Sequence, residues 1–116
     1  MEFINLTPHE INLVDADGNP LATFVASGIV ARAAAADVKV GAVDLAPGII
    51  VDVVNTTFGE PIDLPEPAEN VHLLVSIVTA QAAKAHGRRI DDLLVTSGPV
   101  RGDDGRIIGC TRFARL

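Results

Sequence analysis

The sequence predicts an α+β fold that is mostly β: a small mixed sheet or partly open barrel carrying one helix in the C-terminal half. Three observations lead to it. Short runs alternate apolar and polar residues between clusters of Gly, Pro, Asn and Asp, which is the period of half-buried strands. One run only, residues 77–86, carries helix signals at both ends. The chain has 116 residues, enough for one hydrophobic core and not for two, so residues 1–116 are expected to form a single β-rich domain.

Residues 3–6 set Ile4 and Leu6 against Phe3 and Asn5, and residues 11–14 alternate again, predicting two strands around Thr7, Pro8 and His9 as an N-terminal hairpin or corner. Asp15, Asp17, Gly18, Asn19 and Pro20 are turn formers, and residues 21–25 read as a third strand. In residues 30–43, Ala33 to Ala36 favour helix while Val38, Val40 and Val43 favour sheet; the reading is mostly strand. Residues 49–54 form a β run expected to end at Asn55. Pro61, Pro65 and Pro67 then predict a surface excursion over residues 58–70 with at most one edge strand.

The near-continuous apolar run of residues 71–75 suits a strand buried on both faces, with Ser76 placed to cap the helix that follows. Gly87 supplies the stop, and Lys84 and His86 sit favourably at the negative end of the helix dipole. Its four alanines, Ala80, Ala82, Ala83 and Ala85, make the helix thin enough to lie close on a sheet. Residues 92–96 read as a strand, and residues 99–101 and 106–113 as a hairpin around Gly102, Asp103, Asp104 and Gly105.

Trp and Tyr are absent and there are four Phe, so the core is expected to be finely interdigitated Val, Ile, Leu and Ala. The single cysteine, Cys110, excludes an intrachain disulfide. With no charged-then-apolar leader, the expected compartment is the cytoplasm. No apolar stretch approaches the roughly 20 residues needed to cross a bilayer, so no membrane partner is expected. The net charge of -6 argues against nucleic acid polymers as partners. That charge is unevenly spread. Residues 1–86 hold three basic and eleven acidic groups, whereas residues 87–116 hold six arginines against four acids.

The candidate chemistry is sparse. Asp15 to Asn19 looks like the start of a calcium loop, but the required sixth-position Gly is Pro20 and the twelfth-position Glu is Ala26. His9, His72 and His86 have neither metal-ligand spacing nor a cysteine partner, so no metal site is expected. Ser76 and Ser97 lie outside any nucleophile elbow, and Cys110 reads as a buried, inert thiol. No nucleotide-binding glycine pattern occurs. Neither catalytic residues nor a cofactor are therefore expected, and the protein is not read as an enzyme. Arg88, Arg89, Arg101, Arg106 and Arg112 remain as guanidinium forks suited to a phosphate or carboxylate. The competing reading is that Asp91, Asp92, Asp103 and Asp104 neutralise them on a solvated face.

The opening FINLTPHEINLV and the closing LLVTSGPVRGDDGRIIGC resemble a group of small bacteriophage and prophage proteins. That group begins with an N-L-T-P-H strand and turn and ends with an R-x-x-x-G-R-x-x-G-C hairpin. Here the motifs are Asn5 to His9, and Arg101, Gly105, Arg106, Gly109 and Cys110, about a quarter of the chain. The resemblance implies a viral accessory origin and a bacterial host cytoplasm; it carries over no activity and no catalytic residue. Together with the charge split it gives the expected function: a phage-type accessory protein that sequesters a small anionic ligand without turnover. A host signalling nucleotide, and hence antagonism of host defence, is the case considered. The expected ligand-binding residues are Arg101, Arg106, Arg112, Arg88, Arg89, Thr7, His9 and Ser97. The alternative is an interaction or assembly protein, a virion accessory or host-factor binder, with no small-molecule ligand.

A mean hydropathy of +0.36 is high for a small monomer with a polar surface, so a homo-oligomer is expected, with a two-fold dimer as its simplest unit. Edge strands or the Ala-rich helix would supply the interface.

Overall fold

The computed structural model describes all residues, 1–116. Eight strands and one helix run in the order β1 (Glu2–Asn5), β2 (Ile11–Val14), β3 (Pro20–Phe24), β4 (Arg32–Ala46), β5 (Ile49–Ile62), β6 (Val71–Leu74), α1 (Ile77–Ala85), β7 (Leu93–Arg101) and β8 (Ile107–Ala114). Six strands form a mixed sheet in the order β1-β6-β7-β8-β2-β3, and β4 and β5 form a separate two-stranded sheet. The predicted class, mostly β with one helix in the C-terminal half, is what the chain adopts.

β1, β6 and β7 are parallel, and α1 makes the crossover between β6 and β7. Parallel neighbours require such a connection, since a tight turn can only reverse the chain. β7 and β8 form the antiparallel C-terminal hairpin, β8 pairs parallel with β2 at Leu13–Cys110, and β2 pairs with β3. At the sheet's two edges, β1 meets the segment just after β3 at one isolated bridge, Asn5–Ala26, while Phe3 of β1 and Phe24 of β3 touch with ring centroids 5.5 Å apart. The sheet therefore curls without closing. β1 and β2 do not pair with each other, so the N-terminal segment is a corner and not a hairpin.

α1 covers one face of the curl. Leu6, Leu73, Val75, Leu93 and Val95 pack there against Ala80 and Ala83, as the small helix residues anticipated. On the other face Ile11, Leu74, Leu94 and Cys110 form a second cluster, so β6 and β7 bury both sides. Ser76 caps α1 by accepting from the Thr79 N–H at 3.2 Å, and Gly87 ends it at φ 80°. The buried Thr79 hydroxyl donates to the Ala31 carbonyl at 3.1 Å and ties the base of β4 to the helix. α1 is not long and apolar enough to cross a membrane.

Two sequence readings are corrected. β5 does not end at Asn55, and the edge strand allowed within residues 58–70 is not a separate one: residues 58–62 continue β5, with Phe58 opposite Ala35 and Pro61 opposite Ala33. A two-stranded sheet leaves the outward N–H positions of each strand unpaired, so Pro61 deprives the ladder of little. Residues 30–43 are mostly strand, as read, from Arg32 onward, but the hairpin they begin is far longer than expected and stands away from the rest. The radius of gyration is 17.9 Å, against roughly 13 Å for a compact chain of this length.

Candidate functional site

The turn between β1 and β2 is organised by Asn5, which is only 2% exposed. Its Nδ2 donates to the carbonyls of His9 at 2.8 Å and Phe24 at 2.9 Å. Its Oδ1 accepts from the Thr7 N–H at 2.9 Å and the Thr7 hydroxyl at 2.6 Å. All of the side chain's hydrogen-bonding atoms are thus used, and one amide fixes both the corner and its junction with β3. Asparagine is suited to this because it offers donors and an acceptor on a short, neutral side chain. Thr7, expected as a ligand contact, is in part a structural residue: its hydroxyl bridges Asn5 and the His9 carbonyl.

This turn, the start of α1, the middle of β7 and the start of β8 enclose an open cleft of about 760 Å3. It lies at the carboxyl ends of the parallel strands β1 and β6, where ligand crevices form in sheets with helical crossovers. Thr7, His9 and Ser97, three of the expected site residues, line it together, joined by Asn12, Ser76 and Thr96 and by one acidic side chain, Glu10. The remaining wall is largely apolar, including Ile11, Val75, Ile77 and Ile108, with Cys110 at its edge. Such a cavity, mostly apolar with a few converging polar groups, has the character and size of a small-molecule site. No acidic side chain occupies the first turn of α1, so its positive dipole end is not neutralised by its own helix. Burial pushes the Cys110 thiol above its usual pKa, keeping it neutral.

The arginines do not converge on the cleft. Arg88 and Arg101 lie near opposite ends of β7, and eight strand steps separate Leu93 from Arg101, on the order of 26 Å. Arg88 is consumed within the fold: its guanidinium meets the buried Asp92 carboxylate with two bonds, 2.9 and 3.0 Å, and donates to the Pro65 and Arg89 carbonyls. Arg89 pairs with Asp91 on the surface. Arg101 donates to the Gly105 carbonyl at 2.8 Å inside its own turn, and Arg106 faces Asp104 at 3.7 Å in solvent. The competing reading, that neighbouring aspartates neutralise these arginines on a solvated face, therefore describes Arg89 and Arg106; Arg88 is neutralised by an aspartate too, but inside the fold. Arg112 differs. It stands opposite Ser97 in the ladder, and its guanidinium lies over Gly98, beside the cleft wall.

A second cavity, of about 630 Å3, lies between the base of the long hairpin and the end of α1, lined by Glu60, Glu66, His86, Arg88 and Arg89. Two glutamates and the negative end of the helix dipole make it a poor anion site. No three His, Cys, Asp or Glu side chains come together in a group that could hold a metal ion. Asn5 and Thr96 are not among the site residues expected from the sequence, although Asn5 opens the N-L-T-P-H motif. Asn5 had a readable signal, a polar residue between Ile4 and Leu6 placed two before a Thr, the spacing of an Asx turn; Thr96 had none.

Comparison with known proteins gives no matching family model, no matching curated protein and no matching solved structure.

Proposed function

We propose that the protein is a binding module that captures a small anionic molecule, such as a nucleotide, in the cleft between the N-L-T-P-H turn and the start of α1, without turning it over. The observation carrying this reading is the convergence of His9, Thr96 and Ser97 on one apolar-walled cleft with a helix start that has no acid in its own first turn, against which the cleft's single carboxylate, Glu10, is the one opposing charge. An anionic group would sit at the helix start, where the first N–H groups have no intrahelical partner. The apolar wall would take a planar or aliphatic portion. Arg112, beside Ser97, would add charge; Arg101 and Arg106 would not contribute, which moves the proposed site away from the tip of the C-terminal hairpin. Binding is favoured over catalysis because Ser76 is committed to capping α1 and the Cys110 thiol is held neutral.

The test is thermal shift against inorganic phosphate and mono-, di- and cyclic nucleotides, followed by calorimetric titration of the strongest binder. His9→Ala, Ser97→Ala and Arg112→Ala should each weaken binding. Arg112→Ala should do so by about 1.5 to 3 kcal/mol, or roughly ten- to a hundredfold. Arg101→Ala should leave it unchanged. No shift with any probe, or a loss confined to Arg101→Ala, overturns the reading. A pull-down of a stable protein partner in the absence of any small ligand would favour the assembly alternative.

A further inference from the structure

We propose that the β4–β5 hairpin is an association arm, and that two copies of this chain pack together through its uncharged face. The arm is a 15-residue and a 14-residue strand joined by Pro47 and Gly48, the latter at φ 80°. Its register assigns residues to faces, because residues directly opposite share a face and successive pairs alternate. Val43 with Val51, Gly41 with Val53, Val38 with Asn55 and Ala36 with Thr57 lie on one side. Asp44 with Ile50, Ala42 with Asp52, Lys39 with Val54 and Asp37 with Thr56 lie on the other. The contacts agree: Lys39 pairs with Asp52 at 3.2 Å, and Thr56 donates to Asp37 at 2.7 Å.

The first face therefore carries no charge, and its four valines, Val38, Val43, Val51 and Val53, are 55, 53, 44 and 41% exposed. The second face holds three aspartates and one lysine. A two-stranded hairpin alone in water is marginal at best, and a contiguous apolar face of this length marks an interaction surface. A second copy is the occupant that fits. The face has no charge and no aromatic pocket that would demand a complementary partner, and it matches its own image in length and chemistry about a two-fold axis. The net negative charge of the opposite face repels its own copy, which decides which faces meet. At about 3.3 Å per residue the ribbon is on the order of 45 Å long and about 10 Å wide. A face-to-face pair then buries on the order of 1,000 Å2 with its corrugation, the size at which specific interfaces begin.

Light scattering coupled to size exclusion, at micromolar concentration, reads the outcome as mass. The wild-type chain should run at twice the monomer mass or a multiple of it. Val53→Asp should halve that mass, and Ile50→Asp, on the charged face, should leave it unchanged. Because Val53→Asp could disturb the arm itself, Val53→Cys and Ile50→Cys provide a second measurement. Cys110 is buried, so oxidation should give a disulfide-linked dimer from Val53→Cys and none from Ile50→Cys. A wild-type monomer, equal effects of the two aspartates, or equal crosslinking of the two cysteines overturns the proposal; a monomer that associates only with lipid vesicles or a different protein assigns the face to that occupant instead.

Discussion

Replacing Asn5 by Asp changes one atom of the side chain and reverses what that atom does. The amide nitrogen that donates to the His9 carbonyl at 2.8 Å and the Phe24 carbonyl at 2.9 Å becomes a carboxylate oxygen facing two carbonyl oxygens. Each unsatisfied buried group costs about 1 to 3 kcal/mol, so the pair, with the repulsion between oxygens, should destabilise the fold by about 3 to 4 kcal/mol at neutral pH. For a chain of this length that corresponds to a fall in Tm of roughly 12 to 16 °C. The loss should depend on pH. Burial against two carbonyls raises the pKa of the introduced carboxyl in the folded state. The ionisation part of the penalty is therefore absent below the unfolded value of about 3.9, where one of the two carbonyls still lacks a donor, and sets in as pH rises through the raised folded value. Protonation also restores one donor. Asn5→Ala removes the donors and the acceptor at every pH and should show no such recovery. Urea denaturation of the three proteins across the acid range reads this directly. If Asn5→Asp stays within about 1 kcal/mol of wild type at neutral pH, or tracks Asn5→Ala at all pH values, the amide does not hold the turn as described.

Three further predictions test other parts of the fold. Gly98→Ala places a methyl group 2.2 Å from the Thr111 hydroxyl oxygen at φ 62°, whereas the methyl of Gly105→Ala, at φ 82°, meets nothing within 4 Å. The first should cost about 2 kcal/mol or more and the second about 1; equal shifts in urea midpoint would contradict the geometry of the β7–β8 ladder. Arg88→Ala leaves the Asp92 carboxylate buried without its partner and should destabilise by about 3 kcal/mol while leaving nucleotide binding intact, a split that a ligand-contacting arginine would reverse. Hydrogen bonds from the Asn19 backbone, then the Asn19 side chain, hold the Asp15 carboxyl below its usual range. Its stabilisation is present above the ordinary carboxylate pKa and is lost as pH falls through the lowered folded value. Asp15→Asn should flatten the acid limb of the Tm–pH curve, and identical slopes would remove Asp15 from the account.

Residue pattern by itself determined most of the local structure. The cap at Ser76, the stop at Gly87, the alternation of residues 11–14 and the doubly apolar run before the helix each reflect interactions within a few residues, and all appear in the fold. Sequence also brought Thr7, His9 and Ser97 into one candidate site, because polar residues beside fixed turns are legible as loop chemistry. Tertiary structure decided what depends on partners far along the chain. The six arginines after residue 86 are close in sequence but are spread from the loop before β7, through its far end and the turn, to β8 and the residue beyond it. A rise of about 3.3 Å per residue separates what a charge count groups together. Asn5 became the organiser of the turn only because β3 brings the Phe24 carbonyl beside it. Pro61 reads in the sequence as a mark of a surface excursion and is a paired residue of β5, since only the assembled topology shows that β5 has a single neighbour. The same topology leaves Val38, Val43, Val51 and Val53 without cover: alternation marks them as a face, but whether another strand layer of the same chain covers that face is settled by long-range packing, and here none does.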